Sequence, residues 1–341
     1  MIKRTLIATL MGSLVSLSAW AAEEAVLNLY SARHYQTDEA LYANFTKQTG
    51  IRINRIEGKE DELLERIKNE GANSPADVFL TVDASRLAQA ESLGLFAPVK
   101  SKMLEERIPP YLRSPANDWF AFSTRARIII YNKAMISAAD VQNYEDLAKP
   151  ALKGKVCSRS GAHPYNLSLG AALIQHLGEQ KTEDWAKGVV ANFARAPKGG
   201  DTDQIKAVAA GECQVALSNT YYLVRMMRSD KSDDRKVVEK IGVVWPNQKS
   251  WGTHINVSGG GVLKTAPHKD AALKFLEYLS SDDAQSYFAN GNNEWPVTRS
   301  TIAKNPELES LGKFRADELN VGQLAKTTAL AQKVFDRAGY R

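Results

Sequence analysis

The sequence predicts an α/β protein of two lobes with a cleft between them. Three observations carry that expectation. Short apolar strands alternate with amphipathic helices through residues 26–94, the same rhythm resumes after Gly154, and an apolar run at 122–131 lies between the two stretches as a strand that crosses from one to the other. A chain of 341 residues also exceeds what one ordinary hydrophobic core needs.

Each element has a local reason. Residues 26–30 are a short apolar strand. Residues 37–49 have helical spacing, with Leu41, Tyr42 and Phe45 on one face, and Gly50 supplies a cap. Ile51, Ile53 and Ile56 mark a second strand. A helix at 60–70 places Leu63, Leu64 and Ile67 together, and Gly71 ends it. A strand at 76–80 and a helix at 85–92, closed by Gly94, complete the first series, which argues for a parallel sheet with helices on both faces. The second unit opens with a strand at Val156. Helices are expected at 167–177, 185–194 and 204–210, a strand at 213–217, and a further helix from Tyr222. After Pro246 a strand returns at 253–257, followed by one long helix from about 269 to 288 and another from about 321 to 335. On this reading one lobe comprises residues 22–122 and about 249–298, and the other about 123–248 and 299–341.

The first 21 residues read as a secretory signal peptide. Lys3 and Arg4 form the charged start, residues 6–17 the apolar run, and Ala19-Trp20-Ala21 the cleavage site. The run is short for the ~30 Å hydrocarbon core of a membrane. No other run of that kind follows, so the expected mature chain is a soluble, exported, periplasmic protein. The 44 Lys and Arg against 39 Asp and Glu give +5, spread along the chain, a balance unlike that of a nucleic-acid binder. Losing Lys3 and Arg4 leaves +3. Export places the two cysteines, Cys157 and Cys213, in an oxidising compartment, where they form a disulfide or remain as two buried thiols.

Most catalytic signatures are absent: there is no G-x-S-x-G, H-E-x-x-H or C-x-x-C. The glycines at 259–261 precede Lys264-Thr265 without Walker A spacing, and read instead as a turn or as close backbone packing. What stands out is where tyrosine and histidine fall. His34-Tyr35 follows the first strand, Tyr165 lies between a strand and a helix, and Tyr221-Tyr222 follows the Cys213 strand. Carboxyl ends of strands are where an open α/β sheet presents its ligand site. Phenolate is a hard anionic donor, ionised near neutrality only beside a strong cation. Four phenolates and an imidazole suit octahedral Fe(III). Zinc favours Cys, His and carboxylate, and calcium favours carboxylates and carbonyls. Taken singly, a tyrosine at a strand end is more often a packed ring with a wet hydroxyl.

From Ala25 to about Val297 the chain resembles the periplasmic ferric-ion-binding proteins of bacterial iron-uptake ABC transporters. The resemblance lies in residues 29–35 (LYSARHY), 73–78 (NSPADV), 123–127 (STRAR), 199–205 (GGDTDQI) and 219–222 (NTYY). It implies a periplasmic-binding-protein fold that closes on Fe(III) like a clamp and delivers it to an inner-membrane permease, with no reaction catalysed. It further implies a monomer whose ligands are His34, Tyr35, Tyr165, Tyr221 and Tyr222, the last three binding first. Some members place a glutamate and an anion beside iron; the His34-Tyr35 loop has no such match and resembles the Tyr-rich subgroup. Arg125, with Arg127, offers charge to balance phenolate or to hold carbonate; otherwise the two are salt-bridged or solvated. Two other readings use the same residues: a binding protein for a polyamine, sulfate or thiamine-like solute, and an exported enzyme with a tyrosinate-bound metal.

Overall fold

A computed structural model describes residues 25–33, 37–298 and 304–341. The expected signal peptide therefore lies outside the described residues, as do His34 and Tyr35. In chain order the elements begin with β1 (Val26–Ser31), α1 (Asp38–Thr49), β2 (Arg52–Glu57), α2 (Glu60–Glu70), β3 (Val78–Thr81), α3 (Ala84–Ser92), α4 (Lys102–Arg107) and β4 (Phe120–Asn132). They continue with β5 (Val156–Cys157), α5 (Pro164–Leu177), α6 (Glu179–Ala191), α7 (Asp201–Ala210), β6 (Val215–Asn219), α8 (Thr220–Met227), α9 (Ser232–Lys240) and β7 (Ile241–Val244). The chain closes with β8 (Ile255–Val262), α10 (Lys269–Leu279), α11 (Asp282–Asn292), β9 (Trp295–Pro296), α12 (Pro306–Ser310) and α13 (Leu324–Ala338).

The strands order as β2-β1-β3-β8-β4-β6-β5, with β7 and β9 also paired to β4. The expected parallel sheet holds only in part. β1 runs parallel to β2 and β3, and β5 parallel to β6, but β8 is antiparallel to β3, and β4 is antiparallel to β8, β6 and β7. Antiparallel pairs arise because β4 and β8 are crossovers that enter a neighbouring strand group from the opposite end. β4 is the shared member. Its first half, through Ala126, pairs with β8, and its second half, from Arg127, pairs with β6. Alternation along β4 then serves two cores: Ile129 packs into one cluster, Ile128 and Ile130 into another with Cys157, Val208 and Leu223.

The glycine run at 259–261 lies inside β8 and serves close packing. A Cβ at Gly260 would stand 2.7 Å from the Phe79 carbonyl oxygen, and one at Gly261 2.3 Å from that of Asp118. The single helix expected from 269 to 288 is two. Ser280 ends α10, the Ser281 side chain caps α11 by accepting from the Ala284 N–H at 3.3 Å, and Arg107 Nε donates to the Ser280 carbonyl at 2.7 Å. Asp282 and Asp283 then sit in the first turn of α11, as their charge favours. No helix of the described residues is long and apolar enough to cross a membrane.

Cys157 and Cys213 are disulfide-bonded, with Cα atoms 5.7 Å apart, tying β5 to the residues that lead into β6. Their separation of 56 residues gives a chain-entropy contribution of about 4 kcal/mol. A Cys157→Ser/Cys213→Ser double variant should therefore unfold at clearly lower denaturant than the parent. An unchanged midpoint would mean that the bond does not stabilise this protein.

Candidate metal centre

Tyr165, Tyr221 and Tyr222 come together. The Tyr165 and Tyr221 hydroxyl oxygens are 2.9 Å apart, and the Tyr221 and Tyr222 rings are 4.2 Å between centroids. The sequence places Tyr165 in a strand-to-helix loop and starts a helix only at Tyr222; the structure puts all three tyrosines in the first turns of helices, which is a correction for Tyr165 and Tyr221. β6 passes into α8 at Thr220 with no connecting residue, and α5 starts at Pro164 rather than Leu167. Proline at the first helical position is a start signal that the sequence displayed. His163 caps that helix, its Nδ1 accepting from the Tyr165 N–H at 3.2 Å. First-turn N–H groups and the helix dipole favour anionic oxygen.

Guanidinium groups surround Tyr165. Those of Arg159, Arg125 and Arg127 lie 5.0, 5.7 and 6.0 Å from its ring centroid. Arg125 and Arg127 are two residues apart on β4, so they share a face. Neither is solvated: each is 2% exposed. Arg125 Nη1 donates to Ser258 at 3.4 Å and lies 3.9 Å from Glu294, and its Nη2 donates to the Val82 carbonyl. Arg127 donates to Asp201 at 2.6 Å, to Asn219 at 3.2 Å and to Asn166 at 2.8 Å. Both arginines are thus committed to protein partners rather than solvated. The motif reading missed Arg159, Asp201 and Asn166. Asp201 was visible only as part of the GGDTDQI stretch.

Glu294 links the two halves of this charge system. It accepts from Ser123 at 2.6 Å and also faces Arg33 at 3.6 Å. Arg33 in turn donates to both Asp38 oxygens, at 2.7 and 3.1 Å. Arg33 and Asp38, which lie on either side of His34 and Tyr35 in the chain, are therefore anchored to each other.

Burial pushes the Tyr165 phenol up to about 12, with Arg125 pulling the other way, so the metal-free side chain is a neutral phenol. Burial, with Arg159 and Arg127, pushes His163 down to about 4, which keeps its Nδ1 free to accept. His254 is buried and pushed down to about 3; it shares a 2.9 Å hydrogen bond with Ser168. His176 pairs with Asp317 and His268 with Asp77, both structural contacts. A cavity of about 10 Å³ beside Tyr165, lined in part by Arg125, Arg127, His254 and Asn256, has room for about one water. A much larger groove of about 800 Å³ runs between α3 and α13 and contains none of the three tyrosines. Size alone does not place chemistry there. Among the described residues no group of three or more His, Cys, Asp or Glu could hold a metal ion.

His254 yields a pH prediction. Its folded value of about 3 lies below the ordinary 6.5, so the unfolded chain binds the extra proton first. Its contribution is fully present above pH 6.5 and is lost as pH falls towards about 3. Denaturant titrations of the metal-free protein across that range should show a shallower acid decline for His254→Asn than for the parent. Parallel declines would exclude the histidine as a source.

Over 319 residues the chain is 50% identical to iron uptake protein A1 of Synechocystis, covering 94% of this chain and 88% of the relative. A Trichodesmium protein (IdiA, FutA) solved with iron and citrate superposes with a TM-score of 0.89 at 52% identity, covering 93% of this chain and all of that one. The ferric binding protein of Campylobacter jejuni superposes with a TM-score of 0.85 at 42% identity, over 92% of this chain and all of that one. The model of the bacterial extracellular solute-binding proteins matches residues 40–316, and the chain belongs to that family.

Proposed function

We propose that this is a periplasmic binding protein that captures ferric iron between two lobes and delivers it, as a monomer, to an inner-membrane ABC permease. The observation that carries the reading is the gathering of three phenol groups, Tyr165, Tyr221 and Tyr222, at two helix starts and among guanidinium groups. The relatives named for iron uptake and ferric binding favour this solute over a polyamine, sulfate or thiamine-like compound, and they are named as binding and uptake proteins rather than as enzymes.

Iron is the cargo here. Each phenol that ligates gives up its proton, so capture releases protons and acid opposes it. Tyr165, Tyr221 and Tyr222 form the first binding face. Closure of the other lobe adds Tyr35 and His34. Four phenolates around one Fe(III) carry a net negative charge, and Arg125, close to the Tyr165 ring, supplies balancing charge with or without a small anion such as carbonate. Residues 22–122 and about 249–298 form the lobe of His34 and Tyr35; about 123–248 and 299–341 form the other. The packing of α13 on α5 and α6 supports the last assignment.

Purified protein given ferric citrate should turn orange to red through tyrosinate-to-iron charge transfer. A colourless protein that retains no iron would sink the reading. Tyr165→Phe and Tyr222→Phe should each weaken the band strongly, and an unchanged spectrum would remove that residue from the site. Iron retention against a fixed chelator should also fall as pH is lowered.

A further inference from the structure

We propose that Asp201 is a positioning residue that fixes the three tyrosines relative to one another, acting through Arg127; the inference rests on their role as iron ligands. Asp201 opens α7 and is fully buried. Its Oδ2 accepts from Arg127 Nη1 at 2.6 Å and from the backbone N–H of Asn219 at 2.7 Å, and its Oδ1 accepts from Arg159 at 2.9 Å. Asn219 immediately precedes α8, two residues before Tyr221. Arg127 Nη2 donates at 2.8 Å to Asn166, the neighbour of Tyr165 on α5. One carboxylate and one planar guanidinium therefore brace the starts of both tyrosine-bearing helices. The bond to the Asn219 backbone holds the chain itself rather than a rotatable side chain.

A buried ionic cluster is weak evidence for stability, because apolar replacements of the same volume often fold as well. What it supplies is direction. Lysine cannot replace arginine in that role, since a single ammonium does not reproduce a planar fork that meets several acceptors. Charge and geometry therefore separate experimentally. The cluster of Arg127, Arg159 and Asp201 carries a net positive charge. Were it acting only by charge, Arg127→Lys would be silent and Asp201→Asn, which makes it more positive, would tighten the hold on an anionic iron site.

The test compares the parent with Asp201→Asn, Arg127→Lys and Asn166→Ala as purified whole proteins loaded from ferric citrate. Iron transfer to a competing chelator and the position of the tyrosinate-to-iron band are the readouts, with melting of the metal-free proteins alongside. Positioning predicts that Asp201→Asn and Arg127→Lys each lose iron about tenfold faster or more. It also predicts a displaced or weakened band in both, in protein that still melts cooperatively, and a smaller effect for Asn166→Ala. A silent Arg127→Lys with unaltered band, or tighter retention by Asp201→Asn, overturns the inference while leaving the iron reading intact. A parent that shows no band overturns both. Should Asp201→Asn not fold, Arg127→Lys and Asn166→Ala decide the matter on the same criteria.

Discussion

Two arginines buried on one strand constrain everything around them. β4 belongs to both strand groups, and Arg125 and Arg127 sit where its pairing changes from β8 to β6. A guanidinium taken out of water is costly unless its donors are met. The surrounding chain meets most of them: Glu294 and the Val82 carbonyl for Arg125, and Asp201, Asn166 and Asn219 for Arg127. Those partners come from segments distant in sequence. The need to satisfy two cations thus draws together the first turns of α5 and α8, and with them the tyrosines.

The electrostatics of the site follow from that arrangement. Tyr165 lies among three guanidinium groups yet remains a neutral phenol, because burial outweighs their attraction. The surroundings are pre-set for negative charge without creating it. A strong cation is then required to draw the proton off. That requirement favours a small, highly charged ion over an organic solute of similar affinity for aromatic rings.

Much of the fold was legible because local signals were strong. The helix at 60–70 had both its boundaries and its buried face, Leu63, Leu64 and Ile67, written in period and punctuation. Gly50 adopts the left-handed cap its position suggested. Strand direction was not legible, since periodicity is the same whichever way a neighbour runs. The break at Ser280-Ser281 was hidden inside continuous apolar spacing, although Ser followed by two Asp is a helix-start signal. At the site, the tyrosines were conspicuous as residue types. Asp201 and Asn166 were not, because a carboxylate at a helix start reads the same whether it faces water or a buried arginine. Only the tertiary arrangement tells them apart.

The neutral phenol at Tyr165 has one more consequence. If each of the four phenols surrenders a proton as iron arrives, four positive charges leave while three enter. The site gains one negative charge, which the guanidinium of Arg125 stands ready to offset, and what occurs there is ion exchange rather than adsorption. Loading and unloading are then governed by the ratio of iron to the fourth power of the proton concentration, which makes local acidity at the point of delivery a direct lever on release.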